Sequence, residues 1–570
     1  MSFYHEWALR ILRGEFTDHH AFYGLPGYAF LLAGFYWVFG VLPKFILFVQ
    51  VCLDAVTASF VFVLLGAAIA SAPLPDVASA QRARAGLVFG ALAALGWVVF
   101  VPAQALSIIL MPTAWMVCAF WGCVLFIVRR PSESRLSHWG CFGLVVGVSA
   151  TLVATILFLL PLALAAIVAD HRALSSKALR SAALSAVTLV AGVLLGASPV
   201  WLHNYFVARD PVFLTAHSGI NFWIGNHPEA NGYPKIPAGL RAGQAQLLQD
   251  SIRLAEAAAG RPLPRSEVSR YWSDKAWAAI RQNPAAWVHL LGIKFRNFWN
   301  AYSYDDITII ALIREEGALC PGIGFGLVAA LGLAGLVAGA GNPAARWIAA
   351  AVLLHMLSLM PVFITERYRL AAAPGLIVLG SYGLWRLWTA VTDRRWPEIG
   401  LRLAVLAGAA ACVYLPKTDA PLAMEAYNLA IAEIEVRQYD RALQHLEQAR
   451  ALRPTSGQIY TTIGSIYQIK EDRETAKKYY QAALKFDPRN NGALSNLGQI
   501  AMAEGAWDLA EKYLATALAC DPTDDSSAFL LAKVEWQLGK PERARAALTR
   551  ALQLQPAAPG YREFAGQIGL

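Results

Sequence analysis

Long apolar runs recur along the chain up to residue 415. They occupy 46–71, 84–101, 105–128, 182–201, 318–340, 346–364, 370–387 and 398–415. Crossing ~30 Å of hydrocarbon at ~1.5 Å per residue takes about 20 apolar residues in a helix, so these runs have spanning length. The stretch 139–169 is apolar throughout and too long for one straight helix; it predicts two short helices packed as a hairpin. Together the runs predict about ten spans. An earlier run, 26–40, is short and aromatic and suits a helix lying at the membrane interface.

Charged residues fall between these runs. Arg82 and Arg84 precede the second, and Arg129, Arg130 and Arg135 follow the third. Arg172, Lys177 and Arg180 precede the sixth, and Arg394 and Arg395 precede the last. These loops alternate along the chain, as the positive-inside rule requires of cytoplasmic loops. The start of the chain, the segment 202–317 and everything after about 416 are then expected on the outer face. The first 20 residues are polar and amphipathic and do not read as a cleavable signal peptide.

The composition agrees: 57% of the 570 residues are hydrophobic and only 15% charged, with a mean hydropathy of +0.43. That excludes an ordinary soluble protein. The net charge of +9 does not point to nucleic acid, because many of the Lys and Arg residues sit in the short loops. The 7 cysteines are scattered without a CxxC pair and read as small buried hydrophobes.

Two polar groups interrupt the first long run. Gln50 and Asp54 stand four apart on one helical face. An intramembrane acid is a functional candidate, and an i,i+4 pair also serves as hydrogen-bonding glue between helices. His355, alone in its run, reads as a packing histidine.

After residue 420 the pattern changes to that of a soluble helical protein. Pro454, Pro488, Pro522 and Pro556 recur every 34 residues, in register with Ala442, Ala476, Ala510 and Ala544 and with Ala449, Ala483, Ala517 and Ala551. The stretch from Gly457 to Asn490 is similar to the tetratricopeptide repeat through Tyr460, Gly464, Tyr467, Ala476, Tyr480, Ala483 and Pro488. Small residues let paired helices approach closely, and the proline, lacking an N–H, ends each pair. An α-solenoid of four repeats is expected over 421–570, with YREFAGQIGL as its cap. Its concave face is expected to bind a protein partner; a scaffold that only orients or dimerises the chain is the alternative.

Several segments of the first 415 residues resemble the polytopic GT-C glycosyltransferases, nearest to the protein mannosyltransferase and aminoarabinose transferase-like group. These are HEWALRILRGEF and FYGLPGYAFLLAGFYWVFG near the start, then WLHNYFVARDPVFLTAHSGINFWIGNHPEANGYP, SEVSRYWSDKAWAAIRQNPAAW and ERYRL. The resemblance implies an all-α membrane bundle over 1–415 with its main outer loop at 202–317. It implies transfer of a sugar from a polyprenyl-phosphate carrier to a protein or glycan acceptor at the outer face, in a bacterial inner membrane. The repeats would then lie in the periplasm and recruit acceptor or partner.

Such a transfer needs a carboxylate to take the acceptor's proton and cations or N–H donors for the leaving phosphate. On the resemblance, Glu6, Glu15 and Asp18 are the catalytic candidates of the first outer segment. Arg367, Tyr368 and Arg369 are candidates for the carrier phosphate, with snorkelling to headgroups the alternative for the arginines. Asn221, Trp223, Asn226, His227 and His20 are candidate sugar or acceptor contacts; around Gly219, Gly225 and Gly232 the four from Asn221 to His227 also read as a tight loop. Asp18, His19 and His20 at this spacing lack a third ligand nearby and read as a solvated loop rather than a metal site. No resident cofactor is expected, and a divalent cation, Mg or Mn, stays open as a partner of the phosphate.

The match departs from the family in two places. Relatives carry a first transmembrane helix followed by a catalytic aspartate, and this chain begins just past both, as a truncated or late-started chain would. PAQALSIILMPTAW also lacks an acid that relatives place near that turn. A non-catalytic membrane assembly protein and an oligosaccharide ligase are therefore kept as alternatives.

Overall fold

The computed structural model describes residues 2–570 apart from 74–78, 132–134, 171–175, 238, 241–242, 306–309, 311–312, 314–316, 417–418, 523 and 556–557. Arg172 and Pro556 lie outside the described residues, as does the side chain of Lys177. The chain divides into two compact units, Met1–Pro416 and Lys417–Leu570. Both are helical. No strand forms among the described residues; one isolated parallel bridge pairs Phe100 with Ile323.

In the first unit the apolar runs become helices. Pro43–Ala70, Ala178–Gly196, Glu366–Thr392 and Trp396–Val413 are long and apolar enough to cross a membrane. Shorter apolar helices run over Gly27–Phe39, Thr113–Arg129, Leu136–Ala150, Ala154–Asp170, Phe325–Ala338 and Pro343–Leu359. The run 105–128 does not form one helix. A short helix, Val101–Ser107, ends before a turn over 108–112, and Pro112 precedes the next helix at Thr113, where its fixed φ and missing N–H are tolerated.

The stretch 139–169 does form two helical pieces, broken at Thr151–Val153, but not a hairpin on itself. Leu136–Ala150 packs instead along Ser176–Gly196. The reason is a seam of glycines. A Cβ at Gly143 would lie 2.1 Å from Leu189 O, and one at Gly147 would lie 2.2 Å from Val193 O. Small residues at such a seam let two backbones meet, which is how helices associate where apolar burial gives no net drive.

The ends of the helices sort into two groups. At one end Asn342 Nδ2 donates to Ala68 O (2.7 Å), Arg82 donates to Ala70 O and Ala72 O, and Arg130 pairs with Asp170 (2.9 Å). The loop arginines of alternate connections thus gather there. At the other end Gln50 Nε2 donates to Ser107 O and Ile109 O, both at 2.8 Å, and Gln50 Oε1 accepts from Tyr28 Oη (2.6 Å). Asp54 accepts from Ser107 Oγ. Gln50 and Asp54 therefore tie the short helix 101–107 to Pro43–Ala70, which is the glue role. Ala301 N donates to Val413 O at this same end.

In the second unit consecutive helices pack in pairs: Asp419–Glu435 with Tyr439–Leu452, Gly457–Ile469 with Arg473–Phe486, Asn491–Ala503 with Trp507–Cys520, and Asp525–Gln537 with Pro541–Leu554. Pro559–Gln567 packs on the last helix. The in-register alanines are fully buried, and Pro454, Pro488 and Pro522 follow the second helix of their pairs by two residues.

Candidate functional site

The segment His203 to Gly232 is held by side-chain bonds and by a buried apolar cluster that joins Ile220, Trp223 and Ile224 to Trp272 and Phe363. Asn204 is completely buried: its Oδ1 accepts from Phe22 N (3.0 Å) and its Nδ2 donates to Val212 O and Leu214 O. His203 bonds Thr17 Oγ1 and packs its ring on Phe22 at 4.3 Å. The segment 13–26 is thereby fastened to the segment after the sixth apolar run. A π-helical turn runs over His203–Val207; such turns are rare and are frequent at functional sites.

GINFWIGN is a helix, Ser218–Asn226, and not the tight loop its glycines suggested. The glycines serve packing. A Cβ at Gly219 would lie 1.9 Å from Ser269 O, and one at Gly225 would lie 2.3 Å from Val362 O. The helix is thus pressed between Arg265–Gln282 and the approach to ERYRL.

That packing decides what the expected contact residues do. Trp223 is buried against Trp272, and Lys275 Nζ lies 4.8 Å from the first ring and 4.9 Å from the second. Asn226 donates to Phe222 O and Pro361 O and accepts from Trp287 Nε1 and Lys294 Nζ. His227 Nδ1 accepts from Glu229 N while Nε2 donates to Lys235 O. Burial lowers its pKa, in keeping with that neutral tautomer. These three side chains are engaged in the framework; of the expected contacts, Asn221 is the one that reaches the cluster below.

Arg369 also departs from its expected role. It is 1% exposed. Its guanidinium donates to Asn297 O, Phe298 O, Asn300 O, Tyr302 O and Ser303 Oγ, and pairs with Glu366. Five oxygens and a buried carboxylate engage its two terminal nitrogens, so it anchors the 297–303 segment instead of facing a phosphate. Thr365 caps this short turn by accepting from Tyr368 N.

Arg367 and Tyr368 differ. Both are partly buried, with the guanidinium 4.8 Å from the Tyr368 ring. Arg367 acts electrostatically on Tyr4 and on His217. Tyr4 comes from the helix Ser2–Leu12, and burial raises its pKa against the opposing pull of Arg367. His217 immediately precedes the GINFWIGN helix. Its ring lies 4.5 Å from that of Tyr23, and its Nδ1 lies 3.3 Å from Asn221 Nδ2. With the amide donating, the proton sits on Nε2. That atom is buried and has no hydrogen-bond partner among the described residues. Burial, assisted by Arg367, lowers the imidazole to about 4, so it is neutral at physiological pH.

The expected acids do not converge on this cluster. Glu6 is exposed, and Glu15 pairs with Arg13 at 3.3 Å. Asp18 pairs with Arg265 at 2.7 Å and accepts from His20 N. Burial would raise its pKa, but Arg265 outweighs burial and holds it below the usual carboxylate range. Among the described residues no group of three His, Cys, Asp or Glu side chains could hold a metal ion. The ring of His20 is exposed on the surface.

Sequence reasoning passed over His217, Tyr4, Tyr23 and Asp210. Asp210 is buried, caps the helix Arg265–Gln282 by accepting from Ser266 N (3.0 Å), and leaves Oδ1 without a hydrogen bond among the described residues. The signal available was local. His217 and Asp210 flank the same aromatic segment, but nothing in their spacing distinguishes them from turn residues.

The tetratricopeptide repeat family matches over residues 461–525 and again over 501–568. No curated protein matches the chain. Among solved structures, pilF of Pseudomonas aeruginosa is 21% identical, covering 25% of this chain and 66% of that one, with a TM-score of 0.24. The match thus spans just under two thirds of the pilF chain. MamA of Desulfovibrio magneticus is 19% identical over 26% of this chain and 82% of that one, with a TM-score of 0.24. YrrB, a repeat protein with an unusual peptide-binding site, is 20% identical over 31% of this chain and 88% of its own, with a TM-score of 0.22. The C-terminal unit of this chain carries tetratricopeptide repeats.

Proposed function

We propose that this chain is an integral membrane glycosyltransferase of the GT-C type, moving a sugar from a polyprenyl-phosphate donor to an acceptor at the outer membrane face. The observation that carries the reading is the meeting of Arg367, His217, Asn221, Tyr4 and Tyr368 where three outer segments join. A guanidinium that acts electrostatically on a neutral imidazole, whose buried Nε2–H has no acceptor among the described residues, suits a phosphate oxygen. Here the acceptor oxygen attacks the anomeric carbon, the bond from that carbon to the phosphate oxygen breaks, and polyprenyl phosphate leaves with the electron pair. Arg367 and His217 steady its charge. The acceptor's proton passes to a carboxylate; the sequence candidate is Asp18, which stands outside this cluster in its pair with Arg265. The repeats recruit the acceptor or a protein partner.

A non-catalytic assembly role is the second reading. What favours it is the state of Asp18: a carboxylate held low by an arginine is a weak base. Purified full-length chain in lipid, supplied with labelled polyprenyl-phosphate sugars and envelope extract as acceptor, separates the two. Label appearing in acceptor, and lost in Arg367→Gln, supports transfer. No transfer across a panel of donor sugars, from chain that still binds a protein partner through its repeats, overturns the enzyme reading.

A further inference from the structure

An open cleft of about 220 Å³ lies between Phe325–Ala338, Ala373–Thr392 and Trp396–Val413. Its walls are apolar: Leu331, Val337, Leu384 and Val405 line it, with Gly380 and Gly383 lowering one side. Glu398 and Arg402 stand at one end of it. Arg402 pairs with Glu398 at 3.1 Å. Arg395 pairs with the same carboxylate at 2.9 Å and with Asp393 at 3.0 Å. Arg386 acts on Glu398 as well, and bonds Tyr382 Oη. Against the two carboxylates stand Arg386, Arg395 and Arg402, so the cluster is cationic. The buried Nε–H groups of Arg386, Arg395 and Arg402 meet no acceptor among the described residues.

Two features decide the occupant. The outer helix of the cleft exposes Leu401 and Leu403, continuous with the apolar outside of the bundle, so hydrocarbon is what the cleft walls match. The arginine cluster supplies surplus charge and unused donors, and basic pockets between helices at a membrane surface take anionic headgroups. We infer that this cleft binds one anionic glycerophospholipid, an acyl chain between the helices and its phosphate on Arg402 and Arg386. The inference rests on the bilayer reading of the bundle, and is separate from the sugar-transfer site.

Native mass spectrometry of the detergent-purified full chain tests it, with phosphatidylglycerol and phosphatidylcholine of identical acyl chains as probes. The expected result is selective retention of one phosphatidylglycerol. Arg402→Gln and Arg386→Gln should each weaken retention about fivefold, the effect of one cation near an anionic surface. Val405→Trp leaves the ion pairs intact and fills the cleft, so it should abolish retention; Arg346→Gln, an exposed arginine elsewhere, should not. Equal retention of both lipids, retention unaffected by Val405→Trp, or a dimer that excludes lipid from the cleft would overturn the site. Carbonate extraction of membranes tests insertion on its own: an inserted chain indifferent to headgroup overturns the lipid site alone, and a chain released by carbonate overturns both.

Discussion

Arg369 reaches five oxygens and the buried Glu366 while Arg367, two residues earlier, stacks on Tyr368 at 4.8 Å and acts on His217. The two should separate cleanly on substitution. Arg369→Gln strands a buried carboxylate and several carbonyls, a loss of about 3–5 kcal/mol, and should show as a lowered melting temperature and poor yield. Arg367→Gln should melt near the parent while transfer falls about a hundredfold, the effect of losing one donor to a developing anion. Equal loss of stability in both variants would contradict the division of roles. Lys294 supplies a pH signature. It is fully buried with Asn226 Oδ1 and Met360 O as neutral partners at 3.0 Å, and burial holds it down to about 7. A base whose folded pKa lies below its unfolded one binds fewer protons folded than unfolded between those values. Stability therefore rises with pH from about 7 toward the ordinary lysine value, and the penalty is complete below 7. Lys294→Met should flatten that rise; melting curves of both chains between pH 6 and roughly 10 would reveal a parallel pair if the lysine were indifferent.

The helices were legible because long apolar runs favour long apolar helices, and such runs are written in the sequence. Breaks were less so: the turn at 108–112 and the interruption at Thr151–Val153 come from tertiary ties that hydropathy does not encode. Partners were legible least. The hairpin expected within 139–169 fails because Gly140, Gly143 and Gly147 find Gly192 and Gly196 on another helix. That seam makes its own prediction. Gly147→Val places branched carbons where a single Cβ would already be 2.2 Å from Val193 O, so the helices must part, costing about 1–3 kcal/mol. Gly34→Ala has open space around its Cβ and should be neutral or slightly stabilising through helix propensity. Thermal unfolding in detergent compares them, and equal melting points would remove the seam as a determinant. At the candidate site the same limit applied. Trp223, Asn226 and His227 have residue types suited to a sugar, yet burial assigns them to the framework. His217 carries no motif, and only packing strips its Nε2 of partners.

At the scale of the molecule, alternate loops bring their arginines to one end of the bundle, where Arg82, Arg130 and Asn342 meet neighbouring helices. If that end faces the cytoplasm, as positive loops do, helix Trp396–Val413 starts there, beside Arg394 and Arg395, and emerges at the other. Its last turn is held by Ala301 N on Val413 O and by Asn300 Nδ2 on Leu415 O at 2.9 Å, in the same outer segment as the candidate site. On that reading the repeats that follow are expected on the outer side of the membrane. Single-thiol variants test the chain of reasoning. With the 7 native cysteines replaced, a membrane-impermeant maleimide applied to intact cells should label Arg489→Cys in the repeats and a restored Cys320, both exposed. Arg346→Cys, at the arginine end, should react only after the membrane is opened. The reverse pattern would put the repeats and the Arg367–His217 cluster inside, where the proposed site would face the wrong leaflet for an outward-presented carrier.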